Sequence, residues 1–360
     1  MYDLNYQVEE ILSRDDVKQE NDDLVLPTLN EYEEEEIEWL INGYIPKGQI
    51  TLLCGTGGTG KTSVWASLAA SLSNGERTLF DGNNYVEKRD PLNIVFFSGE
   101  DTVENVIKKK LRQEHANMNN IRTLSLTNER FEKVKFGSKY LNDVIRKYQP
   151  DLCVFDPLQA FINGNVRMAD RNAMRQTMRP LIELGKNGTA FLIVMHSNKL
   201  ANAWGRNRMA DSADLWDIAR CVLMVGDADE QGHLKYISHE KSNYGKTGKT
   251  LIFNNDPGTP VFQYWSDKKD RDFVQEATKR RNAAKDNGTV QEVCNLILSE
   301  LSEKPDGMLV EDIDGLMEAL GFKAWMIKEA KQNLKQSSLI KYFKTGMASK
   351  WMVRRTEKNK

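Results

Sequence analysis

Between residues 49 and 254, short apolar runs alternate with stretches whose apolar residues recur every three or four positions, the pattern of buried strands joined by helices. QITLLC (49–54), LNIVFFS (92–98), DLCVFD (151–156), AFLIVM (190–195), CVLMVG (221–226), HLKYISH (233–239) and TLIFN (250–254) predict strands. The segments between them predict helices near 61–73, 103–115, 138–148 and 170–186. The last three strands follow one another without long helices, so the far edge of a mainly parallel sheet is expected to turn antiparallel.

Beyond residue 265 the pattern changes. ATKRRNAAKDNG reads as a charged linker, and VQEVCNLILSEL then puts Val290, Val293, Cys294, Ile297 and Leu301 on one helical stripe. IDGLMEALG and KAWMIKEAKQNLK predict two more helices, and LIKYF and KWMVRR flank a turn at Thr345 and Gly346. Three helices followed by a hairpin is the order of a winged helix. The expected divisions are an acidic leader (1–36), a large α/β domain (37–265), a linker (266–288) and a winged-helix-like domain (289–360). There is no internal repeat.

Composition narrows the class. No apolar run approaches the roughly 20 residues a membrane helix needs, and the start of the chain has neither a basic nor an apolar leader region, so a cytoplasmic protein without membrane contact is expected. Cys54, Cys153, Cys221 and Cys294 each sit inside an apolar run, which predicts buried thiols rather than disulfides. The net charge of −2 hides fourteen acids against two bases in residues 1–40 and eleven bases against two acids in residues 321–360. Such ends suit different partners, including a protein held by the leader or the C-terminal unit, although a solvated leader gives the same pattern.

Gly55-Thr56-Gly57-Gly58-Thr59-Gly60-Lys61-Thr62 fits G-x-x-x-x-G-K-[ST] between a predicted strand and a predicted helix. Backbone N–H groups must turn inward to cradle phosphates, and glycines allow it. Gly55 to Ser63 are therefore expected to bind ATP, with Lys61 on the β- and γ-phosphates and Thr62 on Mg²⁺. LCVFD ends in Asp156, a second Mg²⁺ candidate. FFSGED brings Glu100 and Asp101 to the carboxyl edge of the sheet, where Glu100 is the candidate base that orients the attacking water and Asp101 the candidate helix cap. His196 ends another strand beside the γ-phosphate position, as sensor or as simple strand cap.

WLINGYIPKGQITLLCGTGGTGKTSVWASLAASLSNGE, FFSGED, LCVFDPLQAF, FLIVMHSNK, ADLWDIAR and EKSNYG follow one another as in RecA-like ATPases of the RepA-type hexameric helicase family, which the chain resembles over about residues 37–255. The resemblance implies a RecA-like P-loop sheet wrapped by helices and a homo-oligomeric, hexameric ring with ATP between subunits. It makes Glu100 the catalytic glutamate, His196 the γ-phosphate sensor and Lys241 a finger supplied in trans. Asn243 stands where related helicases carry the arginine of K-x-R, which leaves Lys241 or Arg220 for that task. Two channel loops are implied, one with Arg167 and one with Lys199, Arg206 and Arg208, and with Trp204 for stacking on single-stranded DNA. The expected function is Mg²⁺-dependent ATP hydrolysis driving movement on DNA, as a replicative helicase of a mobile element. The alternatives are a RecA-like regulator or loader that remodels a protein partner and, last, a small-molecule kinase, for which no acceptor motif is present.

Overall fold

The computed structural model describes residues 26–198, 203–346 and 349–356, and the chain divides into two compact units at Glu38/Trp39. Of the first unit, residues 26–38 carry a single 3-10 turn, Leu29–Glu31, closed by Thr28 donating to the Glu31 carboxylate at 2.7 Å, and Glu33 to Glu36 are exposed. The rest of the acidic leader lies outside the described residues.

The second unit opens with a small hairpin, β1 (Trp39–Ile41) and β2 (Ile45–Pro46). A parallel series follows: β3 (Ile50–Gly55), α1 (Lys61–Asn74), β4 (Ile94–Ser98), α2 (Lys108–Gln113), β5 (Ile121–Thr123), α3 (Lys139–Tyr148), β6 (Leu152–Asp156), α4 (Arg171–Gly185) and β7 (Ala190–His196). After α5 (Ala213–Ile218) come β8 (Cys221–Asp227), β9 (Leu234–Ser242), β10 (Thr250–Asn254) and β11 (Val261–Ser266). One nine-stranded sheet results, in the order β11-β10-β9-β8-β3-β7-β6-β4-β5. β8 is parallel to β3, and β9, β10 and β11 are antiparallel, as the absence of intervening helices predicts. β11 is a strand that the sequence pattern missed, because its mixture of exposed Val261, Gln263 and Tyr264 with half-buried Phe262 and Trp265 is that of an edge, not of a buried run.

Alternate side chains of each central strand enter two separate apolar layers. Leu53, Phe96, Val154 and Leu192 meet Val64, Trp65, Leu68 and Leu72 of α1 with Ile107 and Leu111, whereas Cys54, Phe97, Phe155 and Ile193 meet Leu141 of α3, Met174 and Met178 of α4 and Leu215 of α5. All four cysteines are free and buried, and burial pushes the Cys54 thiol up to about 12. No described helix is long and apolar enough to cross a membrane.

α6 runs without interruption from Asp270 to Glu303, so most of the charged segment expected as a linker is helical, in keeping with its Ala, Lys, Arg and Glu content. Its last turns bury Val293, Cys294, Ile297 and Leu301 against α7 (Val310–Ala319) and α8 (Ala324–Gln336). β12 (Met308–Leu309), β13 (Ile340–Phe343) and β14 (Met352–Arg355) form an antiparallel sheet in the order β12-β14-β13 beside them.

Candidate nucleotide site

Sheet register brings the candidate residues together. Gly55 at the end of β3 lies opposite His196 at the end of β7, and Ser98 at the end of β4 lies opposite Asp156 at the end of β6. Because β7 and β6 are neighbours, all four carboxyl ends open on one edge.

The loop from Gly55 to Gly60 turns into α1 through two residues of positive φ, Gly58 at 80° and Gly60 at 87°. A Cβ at Gly57 or Gly58 meets nothing within 4 Å, so the loop presents an open concave backbone to the edge. Thr59 pins it from inside, its hydroxyl donating to the Thr56 carbonyl at 2.9 Å. Lys61 is buried, and its Nζ donates to the carbonyls of Gly55 and Thr56 at 2.9 Å each. Thr62 Oγ1 and Trp65 Nε1 donate to the same Asp156 oxygen, at 2.9 and 2.7 Å. The Ser63 hydroxyl accepts from Lys110 Nζ at 3.2 Å.

Burial drives both charged groups toward neutrality. It holds the Lys61 ammonium below the usual lysine range, against the pull of Asp156, and pushes the Asp156 carboxyl up, against the hydrogen bonds from Trp65 and Thr62. Phosphates beside Lys61 and a divalent cation beside Asp156 would supply the missing opposite charges, so the residues fit ATP and Mg²⁺. Thr62 and Asp156 would hold the cation, which offsets charge on the phosphates.

Glu100 and His196 face each other across the mouth, Oε2 to Nε2 at 3.5 Å, with side chains 62% and 41% exposed. His196 thus ends β7 beside an acid at the edge. Asp101 is not the helix cap expected of it. Thr102 precedes the π-helical turn Val103–Ile107 that leads into α2, and the Asp101 backbone instead closes a turn with Ser98 Oγ at 3.2 and 2.8 Å.

Three expectations change. Lys241 is not a free finger: its three ammonium hydrogens point to the carbonyls of Trp216, Asp217 and Ala219 at 2.7, 3.1 and 2.8 Å, so it caps the C-terminus of α5 in its own chain. Arg220, next to that cap, is exposed. Arg208 is not an exposed loop residue; it is 7% exposed and paired with Asp270 at 2.6 Å, because a guanidinium buried in this loop needs a buried carboxylate. Trp204 is half-buried with the Arg271 guanidinium 5.2 Å from its ring centroid, so its face is already engaged. Arg167 and Arg206 are exposed, the latter bonded to Asp217 at 2.7 Å. Lys199 lies outside the described residues.

Sequence reasoning missed Trp65, Ser197 and Asp270. Trp65 was accessible through its i+3 spacing from Thr62, which puts both on the Asp156 face of α1. Ser197 and Asp270 carry no local signal.

A P-loop on a mainly parallel sheet, with Thr62 of α1 bonded to Asp156 at the end of β6, defines a RecA-like P-loop ATPase. A family model described as AAA domain matches residues 19–202, just over half of the 360 residues, and the chain belongs to that family. The DNA repair protein RadA of Bacillus subtilis is 21% identical over 223 residues, which are 61% of this chain and 41% of RadA, so the chain spans well under half of that relative's length. Among solved structures, the flagellar accessory protein FlaH of Methanocaldococcus jannaschii is 15% identical, with 62% of this chain and 93% of FlaH covered at a TM-score of 0.43. A KaiC-like protein of Pyrococcus horikoshii is 16% identical, with 64% and 100% covered at a TM-score of 0.42.

Proposed function

We propose that the protein hydrolyses ATP with Mg²⁺ at sites completed by a neighbouring copy in a ring, and that hydrolysis drives movement on single-stranded DNA, as in a replicative helicase of a mobile element. The observation that carries the hydrolytic part is the meeting of Lys61, Thr62, Asp156, Glu100 and His196 at one sheet edge. Glu100 accepts a proton from the attacking water and aligns it, since phosphoryl transfer depends mainly on positioning and charge. Lys61 trades the Gly55 and Thr56 carbonyls for phosphate oxygens. His196 reports the γ-phosphate through its contact with Glu100.

Completion in trans is assigned to Arg220 of a neighbouring copy, because Arg220 is exposed whereas Lys241 is bonded to three carbonyls of its own chain. DNA contact rests on Arg167 and Arg206, the exposed members of the two loops, and on the name of the RadA relative. The C-terminal unit is assigned as a winged helix from its element order. Its basic face is partly spent, with Lys331 on Asp314 and Lys350 on Glu311 at 2.6 Å each. Trp325 and Trp351 are 45% and 57% exposed there, which favours the second reading, a loader or regulator that grips a protein partner.

ATPase rate with and without single-stranded DNA decides between them, on protein sized in a non-hydrolysable ATP analogue. Movement on DNA predicts assembly with the analogue and stimulation that is lost in Arg167→Ala/Arg206→Ala with the basal rate kept. A basal rate that ignores single-stranded DNA over a range of salt and protein concentrations replaces the helicase reading by the remodelling one.

A further inference from the structure

Behind the phosphate edge lies a charged group that the proposed chemistry does not use. Arg208 Nη1 meets Asp270 Oδ1 at 2.6 Å, with Asp270 fully buried. The carboxylate also accepts from the Tyr236 hydroxyl at 2.7 Å and from the Gly205 amide at 2.8 Å. A buried pair adds little net stability, yet when its hydrogen bonds are satisfied it fixes geometry closely.

What it fixes is the end of β7. Arg208 Nη2 donates to Ser197 Oγ at 3.2 Å, and the Arg208 carbonyl accepts from the Asn198 amide at 2.9 Å. The Ser197 amide donates at 3.0 Å to the Gly55 carbonyl, the same oxygen that accepts Lys61 Nζ at 2.9 Å. A continuous series of hydrogen bonds therefore joins the first residue of α6 to the P-loop lysine. When Lys61 turns to phosphate, the Gly55 carbonyl keeps only the Ser197 amide among these two donors. The base of the loop then depends on where Ser197 is held. Arg208 is also near enough for its positive charge to add to the burial that holds Lys61 below the usual lysine range.

We infer that Arg208 and Asp270 are positioning residues of the nucleotide site, which fix Ser197, and through it Gly55 and His196, and tie the phosphate end of β7 to the start of α6. The inference rests on the ATPase reading of that site. Its reciprocal consequence is that nucleotide at the P-loop changes the restraint on the first turn of α6, because coupling between two sites acts in both directions.

Ser197→Ala removes the side-chain link from Arg208 Nη2 while keeping the buried ion pair and the backbone bonds of Ser197 and Asn198; Asp270→Asn loosens the pair itself. The measurements are binding of a fluorescent ATP analogue, kcat and KM, and hydrogen exchange of amides 270–276 with and without a non-hydrolysable analogue. Ser197→Ala is expected to bind nucleotide within about threefold of wild type while kcat falls about tenfold or more, the mark of lost positioning. Analogue-dependent protection of amides 270–276 should disappear, and the double variant should cost no more than the worse single one. Wild-type kcat in Ser197→Ala, analogue-dependent protection that survives in it, or losses that multiply in the double variant overturn the inference. Wild-type protein that binds no nucleotide overturns the ATPase reading and this inference with it. Wild-type protein that binds and turns over while amides 270–276 ignore the analogue overturns the inference alone.

Discussion

His239 sets an acid limit on the strand that carries Lys241. The side chain is fully buried, its Nδ1 accepting from the Gly248 amide at 2.9 Å, so that Nε2 keeps the hydrogen and donates to the Lys241 carbonyl at 2.8 Å. Burial pushes its pKa down to about 4 from 6.5, with the Lys269 ammonium, bonded to the His239 carbonyl at 3.1 Å, adding to the effect. The unfolded chain takes up this proton below pH 6.5 and the folded chain only near pH 4. Stability is therefore whole above 6.5 and falls as pH drops through that window, by about 3 kcal/mol at its foot, at about 1.4 kcal/mol per pH unit. His239→Asn keeps an acceptor for Gly248 and has no such titration. The variant should be about 1–2 kcal/mol less stable at pH 8, where it loses the bond to Lys241. By pH 4.5 the order should reverse. Urea unfolding followed by tryptophan fluorescence at several pH values reads the difference, in which the carboxylates common to both proteins cancel. A difference that stays constant from pH 8 to 4.5 refutes the argument.

Asp156→Asn should raise the thermal midpoint of the nucleotide-free protein, because burial disfavours the carboxylate. The gain should grow as pH rises above 3.8 and vanish below it, while Mg²⁺-dependent turnover falls about a hundredfold or more; equal midpoints at pH 8 contradict the assignment. Lys241→Ala should cost about 1–3 kcal/mol by uncapping three carbonyls, with any loss of turnover tracking the loss of folded protein. Arg220→Ala should spare the midpoint and lower turnover, and mixing it with Lys61→Ala subunits should restore part of the rate; no restoration counts against a finger in trans. Removing residues 285–360 should impair loading or duplex binding more than stimulation by single-stranded DNA, which a simple comparison of the two assays checks.

The central sheet was legible because its strands are buried on both faces and read as unbroken apolar runs. The P-loop was legible because phosphate binding demands glycines and a lysine at fixed spacing. Asp156, Glu100 and His196 could be placed because each ends such a run. Edge strand β11 and the short β5 were not, since half-exposed strands lose that contrast. Long-range partners were the other blind spot. Arg206 and Arg208 are two residues apart and look alike in sequence, yet one lies at the surface and the other is buried on Asp270, 62 positions away. Lys241 misled for the same reason: its position suggested a neighbouring subunit, whereas its three donors are consumed by a helix end 22 to 25 residues earlier. The helical form of the charged segment was not legible either, since Asn287-Gly288 is a turn dipeptide that α6 carries within its length.

Phosphate release by wild type and by Glu100→Gln, each with Mg²⁺ and saturating ATP over a range of protein concentrations, tests the central claim most directly. The amide keeps the shape of the carboxylate and cannot accept the proton of the attacking water. The account predicts wild-type specific activity that rises with concentration as subunits complete one another's sites, and a Glu100→Gln protein that binds ATP as tightly but releases almost no phosphate. Equal release by the two proteins, or activity independent of concentration in a monomer, contradicts it.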